Sequence, residues 1–294
     1  MRRPDFFIIG QARSGTNSLQ FQLEQHPDVF ISNKTKPMFG IETELKSEKD
    51  YLTQFVNIKQ KIIGERNTDY LYWKLSASKI KNFNPKAKII MILRNPVDLI
   101  YSLYSAALSR GIDENVSDFK KALDAEEKRK IEQMKNPNKY NPFIFYRDVA
   151  RYSEQVSRYI ELFPRKNILV ISFEKFITKP SEIFKGICNF LEINPNFKPD
   201  FIPKNQLKQV RSNALHSIAN SAMNNSAQRK ILKKVPKIQS LYNFVNKTNN
   251  PIREREMDSD LRKKLIDEFR PDIDKLSQLL DLDFTYWYKT KVSA

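Results

Sequence analysis

The sequence predicts an α/β protein, a three-layer arrangement with a central parallel sheet covered by helices on both faces. Three observations predict it. Short apolar runs at residues 6–9 (FFII), 88–93 (KIIMIL) and 167–172 (NILVIS) lack the polar alternation of a half-exposed strand. Longer helical patterns separate these runs, as in sheets whose crossovers cover both faces. The first run also opens into a glycine-bearing loop, residues 10–18 (GQARSGTNS), placed between strand and helix.

Taken in order, the first strand spans residues 6–9 and ends at Gly10. A helix follows over residues 18–25 and stops at His26-Pro27, where His26 fits a structural helix stop better than catalysis. A second short strand is expected at residues 62–64. The run 88–93 is the clearest strand, six residues rich in aliphatic side chains. Asn95 then caps a helix that has Pro96 at its first position and runs to about residue 110. Residues 148–162 read as one further helix, 167–172 as another buried strand, and 260–280 as a last amphipathic helix before Trp287.

The chain has 294 residues, 40% of them hydrophobic, enough for a sizeable core. The expectation is a single domain over residues 1–294. Cys188 is the one cysteine, which excludes an intrachain disulfide, and His26 and His216 are the only histidines, which excludes a multi-histidine metal centre. No apolar run approaches the length of a membrane span. The amino-terminal stretch turns polar at Gln11 and Arg13, too soon for a signal peptide, so the expected location is cytoplasmic. With 51 Lys+Arg against 34 Asp+Glu the formal charge is +17, which implies an anionic partner. Nucleic acid, anionic membrane and phosphorylated cofactor all satisfy that charge. Residues 201–253 hold ten Lys or Arg and no Asp or Glu. This basic segment is expected to form a mobile cap near an acceptor cleft.

The loop at residues 10–18 has the context an anion needs: converging backbone N–H groups and the positive end of a helix. Its spacing begins like a Walker A loop, but Thr16 follows the second glycine where a nucleotide triphosphatase has lysine, and the cation, Arg13, sits inside the loop. An ordinary strand-to-helix turn is the alternative. Arg94 ends the clearest strand and Ser102 lies eight residues on in the next helix, a guanidinium fork and a hydroxyl suited to a phosphate. Taken alone, that pair also fits a surface arginine and a solvent-facing serine. Both groups fall at carboxyl ends of strands, where open α/β sheets bind ligands, and together they suggest one ligand with phosphates at both ends.

FFIIGQARSGTNSLQFQLEQHPDVF resembles the 5′-phosphosulfate loop of sulfotransferases that use 3′-phosphoadenosine 5′-phosphosulfate (PAPS). IIMILRNPVDLIYSLY is similar to their 3′-phosphate motif, and residues 150–193 are similar to the late strand, acidic residue and following helix of the same family. The resemblance covers roughly residues 5–195, with a weaker likeness at residues 283–287. It implies a P-loop, nucleotide-kinase-like sulfotransferase fold and PAPS as donor, with no metal required. It places the 5′-phosphosulfate on Ser14, Gly15, Thr16, Asn17 and Ser18, and the 3′-phosphate on Arg94 and Ser102. Arg13 falls where many members have a catalytic lysine, and Arg66 matches a family lysine at the sulfate.

One departure concerns the base that takes the acceptor's proton. Carbohydrate-modifying members, including heparan-type ones, carry a glutamate in a segment that here reads Lys34-Thr35-Lys36-Pro37-Met38-Phe39-Gly40; aligned on Phe39 its slot holds Lys36, and a one-residue deletion explains the missing glutamate equally well. Glu65, Glu42, Glu44 or a lysine of lowered pKa are the substitutes. Glu65 could equally orient Arg13 or Arg66 through an ion pair. The expected activity is transfer of a sulfuryl group to a hydroxyl of a carbohydrate, glycolipid or other small-molecule acceptor, neutral or anionic. The alternatives are a kinase-like phosphotransferase and a member that binds the nucleotide or an anionic polysaccharide without turnover. A nucleic-acid module is the third, and the chain shows no motif for base readout.

Overall fold

The computed structural model describes residues 2–32, 38–40, 47–110, 114–135, 141–201 and 257–289. Lys36, Glu42, Glu44 and His216 fall outside them, as does the basic segment apart from Phe201. In chain order the elements are β1 (Phe6–Gly10), α1 (Thr16–Leu23), β2 (Val29–Ile31), α2 (Glu48–Leu52), β3 (Ile62–Asn67), α3 (Ser76–Phe83), β4 (Lys88–Leu93), α4 (Pro96–Arg110), α5 (Phe119–Asp124) and α6 (Glu126–Met134). There follow α7 (Tyr146–Ala150), α8 (Tyr152–Ile160), β5 (Ile168–Ser172), α9 (Phe173–Thr178), α10 (Pro180–Leu191) and the last helix, α11 (Ser259–Leu280). Among the described residues no helix is long and apolar enough to cross a membrane.

The chain divides into two compact units, one from residues 1–99, 151–205 and 263–294, the other from 100–150 and 206–262. The first holds an all-parallel sheet in the order β2-β3-β1-β4-β5. Alternation along the strands sends successive side chains to opposite faces. Phe6, Ile8, Ile90 and Ile92 pack with Leu19 of α1 and with Phe184 and Ile187 of α10. On the other face Phe7 meets the rings of Phe39 and Tyr70, which continue into Tyr51 and Phe83. Two apolar faces on one set of strands explain why the runs read as continuously hydrophobic. The three-layer parallel sheet expected from them is the fold observed.

In the second unit, Glu114 accepts both guanidinium nitrogens of Arg129, at 2.7 and 2.6 Å, and the Tyr146 hydroxyl at 2.8 Å. Tyr101, Tyr104 and Phe119 pack around this group's apolar side.

Three local differences from the sequence reading have physical causes. The helix expected over residues 148–162 breaks at Arg151, whose backbone is extended (φ −83°, ψ 97°). The Asp272 carboxylate of α11 accepts the Tyr152 N–H at 2.7 Å, the Ser153 N–H at 3.2 Å and the Ser153 hydroxyl at 2.6 Å, starting a new helix there. β2 is three residues long, too short to carry a periodic signal. α3 is mostly polar and shows its inward face only through Ala77, Ile80 and Phe83.

His26 is engaged on both ring nitrogens: Nδ1 accepts the Asp28 N–H at 3.1 Å and Nε2 lies 3.1 Å from the Asn194 carbonyl. That matches the helix-stop reading.

Gly10 shows how tightly β1 lies against β4. It has φ +139°, and a Cβ there would stand 2.6 Å from the Ile92 carbonyl oxygen, a backbone atom with nowhere to go. Gly10→Ala is therefore expected to lower stability by more than about 1 kcal/mol, read as a fall in the thermal or denaturant midpoint. An unchanged midpoint would contradict the close approach.

Candidate active site

β1 is the strand at which the sheet reverses its order, with β3 on one side and β4 on the other. Ligands of open α/β sheets bind at such a point, beyond the carboxyl ends. Three cations come from elements that end there: Arg13 from the loop after β1, Arg66 near the end of β3 and Arg94 just past β4.

The loop between β1 and α1 turns through a hydrogen bond from the Ser14 N–H to the Gln11 carbonyl. Arg13 (φ 72°) and Gly15 (φ 88°) are both left-handed, a conformation that is unfavourable for arginine and free for glycine. A Cβ at Gly15 would also stand 3.0 Å from the Phe173 ring, a tight contact that the ring would have to yield to. α1 begins at once, so the N–H groups of Thr16, Asn17 and Ser18 lie outside the helix's own ladder. Ser14 is fully buried, and its hydroxyl has no hydrogen-bond partner. A buried, unsatisfied hydroxyl beside free helix N–H groups is what an anion would complete.

Arg94 is tied to this loop. Its Nη1 donates to the Arg13 carbonyl at 3.0 Å, and its guanidinium lies 4.8 Å from the centre of the Phe173 ring. Phe173 therefore touches Gly15 with one edge and supports Arg94 with its face. Asn95, expected to cap α4, does so: its Oδ1 accepts the Val97 N–H at 2.9 Å. Ser102 is buried in α4, within the second unit.

Glu65 and Arg66 are sequence neighbours on opposite faces of the sheet. Arg66 pairs with Ile8, on the α1 side, and its Nε donates to Gln20 Oε1. Burial lowers its pKa, opposed by the charges of Glu24, Asp69 and Glu65. Glu65 pairs with Phe7 and is enclosed on the aromatic side. Both of its carboxyl oxygens accept phenols, Oε2 from Tyr51 and Oε1 from Tyr70 at 2.5 Å. Burial raises its pKa to about 7, against the opposing pull of the two phenol hydrogen bonds and of Arg66. Burial likewise holds both phenols far above their ordinary range, so they stay donors. The Tyr70 hydroxyl accepts in turn from the backbone N–H of Met38 (3.2 Å) and Phe39 (3.4 Å).

The structure thus brings together Arg13, Ser14, Gly15 and Arg94, sets Arg66 beside α1, and separates Glu65 from Arg66 across the sheet. Tyr51, Tyr70, Gln20, Phe173 and Tyr152 were not singled out from sequence. Of these, only Tyr70, five residues after Glu65, carried a local hint. Among the described residues no group of His, Cys, Asp or Glu side chains could hold a metal ion.

Comparison with known proteins agrees with this geometry. The crystal structure of a sulfotransferase from Alicyclobacillus acidocaldarius matches with a TM-score of 0.74 at 28% identity, covering 98% of this chain and 100% of that one. The human bifunctional heparan sulfate N-deacetylase/N-sulfotransferase 3 is 25% identical over 217 residues, 67% of this chain and 23% of its own length. The membrane-associated sulfotransferase kil1 of Dictyostelium discoideum is 22% identical over 279 residues, 69% of this chain and 59% of its own length. The chain therefore spans less than two thirds of either curated relative. The family model for the sulfotransferase domain matches residues 3–279, and with the parallel sheet and its anion loop this places the chain in the sulfotransferase family.

Proposed function

We propose that the protein transfers a sulfuryl group from PAPS to a hydroxyl of a carbohydrate, glycolipid or other small-molecule acceptor. The observation that carries the donor assignment is the coupling of Arg94 to the loop through the Arg13 carbonyl and the shared Phe173 ring. Two anion-binding elements held in one piece suit a nucleotide with anionic groups at both ends. The unsatisfied Ser14 hydroxyl, the left-handed Gly15 and the open N–H groups of α1 fit the phosphosulfate end. Arg94 is assigned to the 3′-phosphate. When bound, the donor supplies the sulfuryl group and a phosphate leaving group. Arg13 neutralises charge developing on the oxygen between them, and Arg66 steadies the sulfate. The work left to the chain is positioning and charge stabilisation, as in phosphoryl transfer. The carbohydrate acceptor draws support from the relative named for heparan sulfate.

Glu65 is assigned an orienting role. Its two oxygens are engaged by phenols and it faces away from Arg66. Through Tyr70 it holds the backbone of Met38 and Phe39, the described end of the segment that contains Lys36.

Arg94→Ala should raise the Kd for 3′-phosphoadenosine 5′-phosphate (PAP) by about 10- to 100-fold, with adenosine 5′-phosphate much less affected. Equal losses for the two nucleotides would refute the 3′-phosphate assignment. Slow release of sulfate from PAPS without acceptor should be measurable in the wild type and lost in Arg13→Ala, and a protein that only binds would show none. Glu65→Gln should keep kcat within about tenfold, whereas loss of a general base costs about 10²–10⁴.

The same variant has a pH signature. Glu65 holds its proton up to about pH 7 in the folded chain and releases it near the usual 4.5 when unfolded. The folded state binds more protons across that window, so this group's contribution to stability falls as pH rises through it. Denaturant midpoints of Glu65→Gln should fall less than those of the wild type between those two pH values. Parallel curves would contradict the burial of this carboxyl.

A further inference from the structure

We propose that Tyr152 and Asp272 are positioning residues for Arg94, acting through the peptide unit that joins Arg94 to Asn95. That unit is held at both of its polar atoms. The Arg94 carbonyl accepts the Tyr152 hydroxyl at 2.9 Å, and the Asn95 N–H donates to Glu174 Oε1 at 2.8 Å. The two holding side chains come from different helices, α8 and α9. Rotating the peptide would leave a buried polar atom unpaired, which costs about 1–3 kcal/mol. The direction in which the Arg94 side chain leaves the backbone is fixed accordingly, over Phe173 and toward the Arg13 carbonyl.

Tyr152 is itself placed from a distance. It is the first residue of α8, and the residue before it, Arg151, makes no side-chain cap. Asp272 takes over that role, accepting the Tyr152 and Ser153 N–H groups and the Ser153 hydroxyl. The start of α8, and with it the reach of the Tyr152 phenol, follows from this carboxylate. Tyr152 is completely buried, and burial holds its phenol well above the ordinary range, so it is a permanent donor. Force passes from Asp272 to the α8 terminus, to the phenol, to the Arg94 carbonyl and so to the guanidinium. None of these residues except Arg94 touches the nucleotide. The proposal rests on the reading of Arg94 as the 3′-phosphate ligand.

The test is titration of folded wild type, Tyr152→Phe and Asp272→Asn with PAP and with adenosine 5′-phosphate, alongside thermal midpoints. The wild type should prefer PAP. Tyr152→Phe should lose about tenfold in PAP affinity while adenosine 5′-phosphate stays within about twofold. Asp272→Asn keeps an acceptor and is the milder change, so it should move the same ratio in the same direction by less, and it serves if Tyr152→Phe does not fold. A lowered thermal midpoint with an unchanged PAP preference would make both residues merely structural and overturn the proposal. A wild type that binds the two nucleotides equally would overturn the reading of Arg94, and the proposal with it.

Discussion

The buried carboxylate of Glu174 is the interaction on which the site's end of the first unit depends. One oxygen accepts the Asn95 N–H at 2.8 Å; the other accepts the Ser172 hydroxyl at 2.8 Å and the Trp287 indole N–H at 3.0 Å. A carboxylate is tolerated in such surroundings only when its lone pairs are occupied, so each donor is required in its place. In satisfying itself, Glu174 joins the ends of β4 and β5 to the carboxyl-terminal turn. The Trp287 carbonyl closes the circuit by accepting Asn95 Nδ2 at 2.9 Å. Asn95 then caps α4 with the oxygen of the same side chain. The loop after β1 gains its order indirectly, because Arg94 reaches it from this fixed corner.

Most of the sheet was legible in the sequence, because β1, β4 and β5 read as unbroken apolar runs and β3 opens with a short one. The strand-Asn-Pro-helix corner was equally legible, since capping chemistry is local: Asn95 and Pro96 announce the start of α4 within two residues. What was lost was whatever depends on distant partners. Nothing near residue 151 signals a helix break, because the group that imposes it, Asp272, is 120 residues away in the chain. β2 escaped for the opposite reason, being too short to have a period at all.

The site divides along the same line. The glycine loop, its internal arginine and Arg94 stand out as types at fixed spacings, and three of the expected groups do converge. Glu65 beside Arg66 looked like a pair, yet adjacent residues of a strand face opposite ways, so adjacency there argues for separation. Its true partners, Tyr51 and Tyr70, meet it through hydrogen bonds made inside the aromatic layer, and of the two only Tyr70 stands near it in the chain. Phe173 is of the same kind, an aromatic whose role comes from the two neighbours it happens to fill the space between.

The span of the circuit around Glu174 bears on how the chain is made. It joins Asn95, just past β4, to Trp287, 192 residues further along the chain, so its contacts are strongly non-local. Such contacts form late and slowly. On a ribosome, the early strands emerge and can pair long before the indole that completes the carboxylate's shell is synthesised. Until then Glu174 is a buried-site carboxylate in want of a donor, and the nascent corner at the end of β4 is exposed to whatever else in the cell offers one.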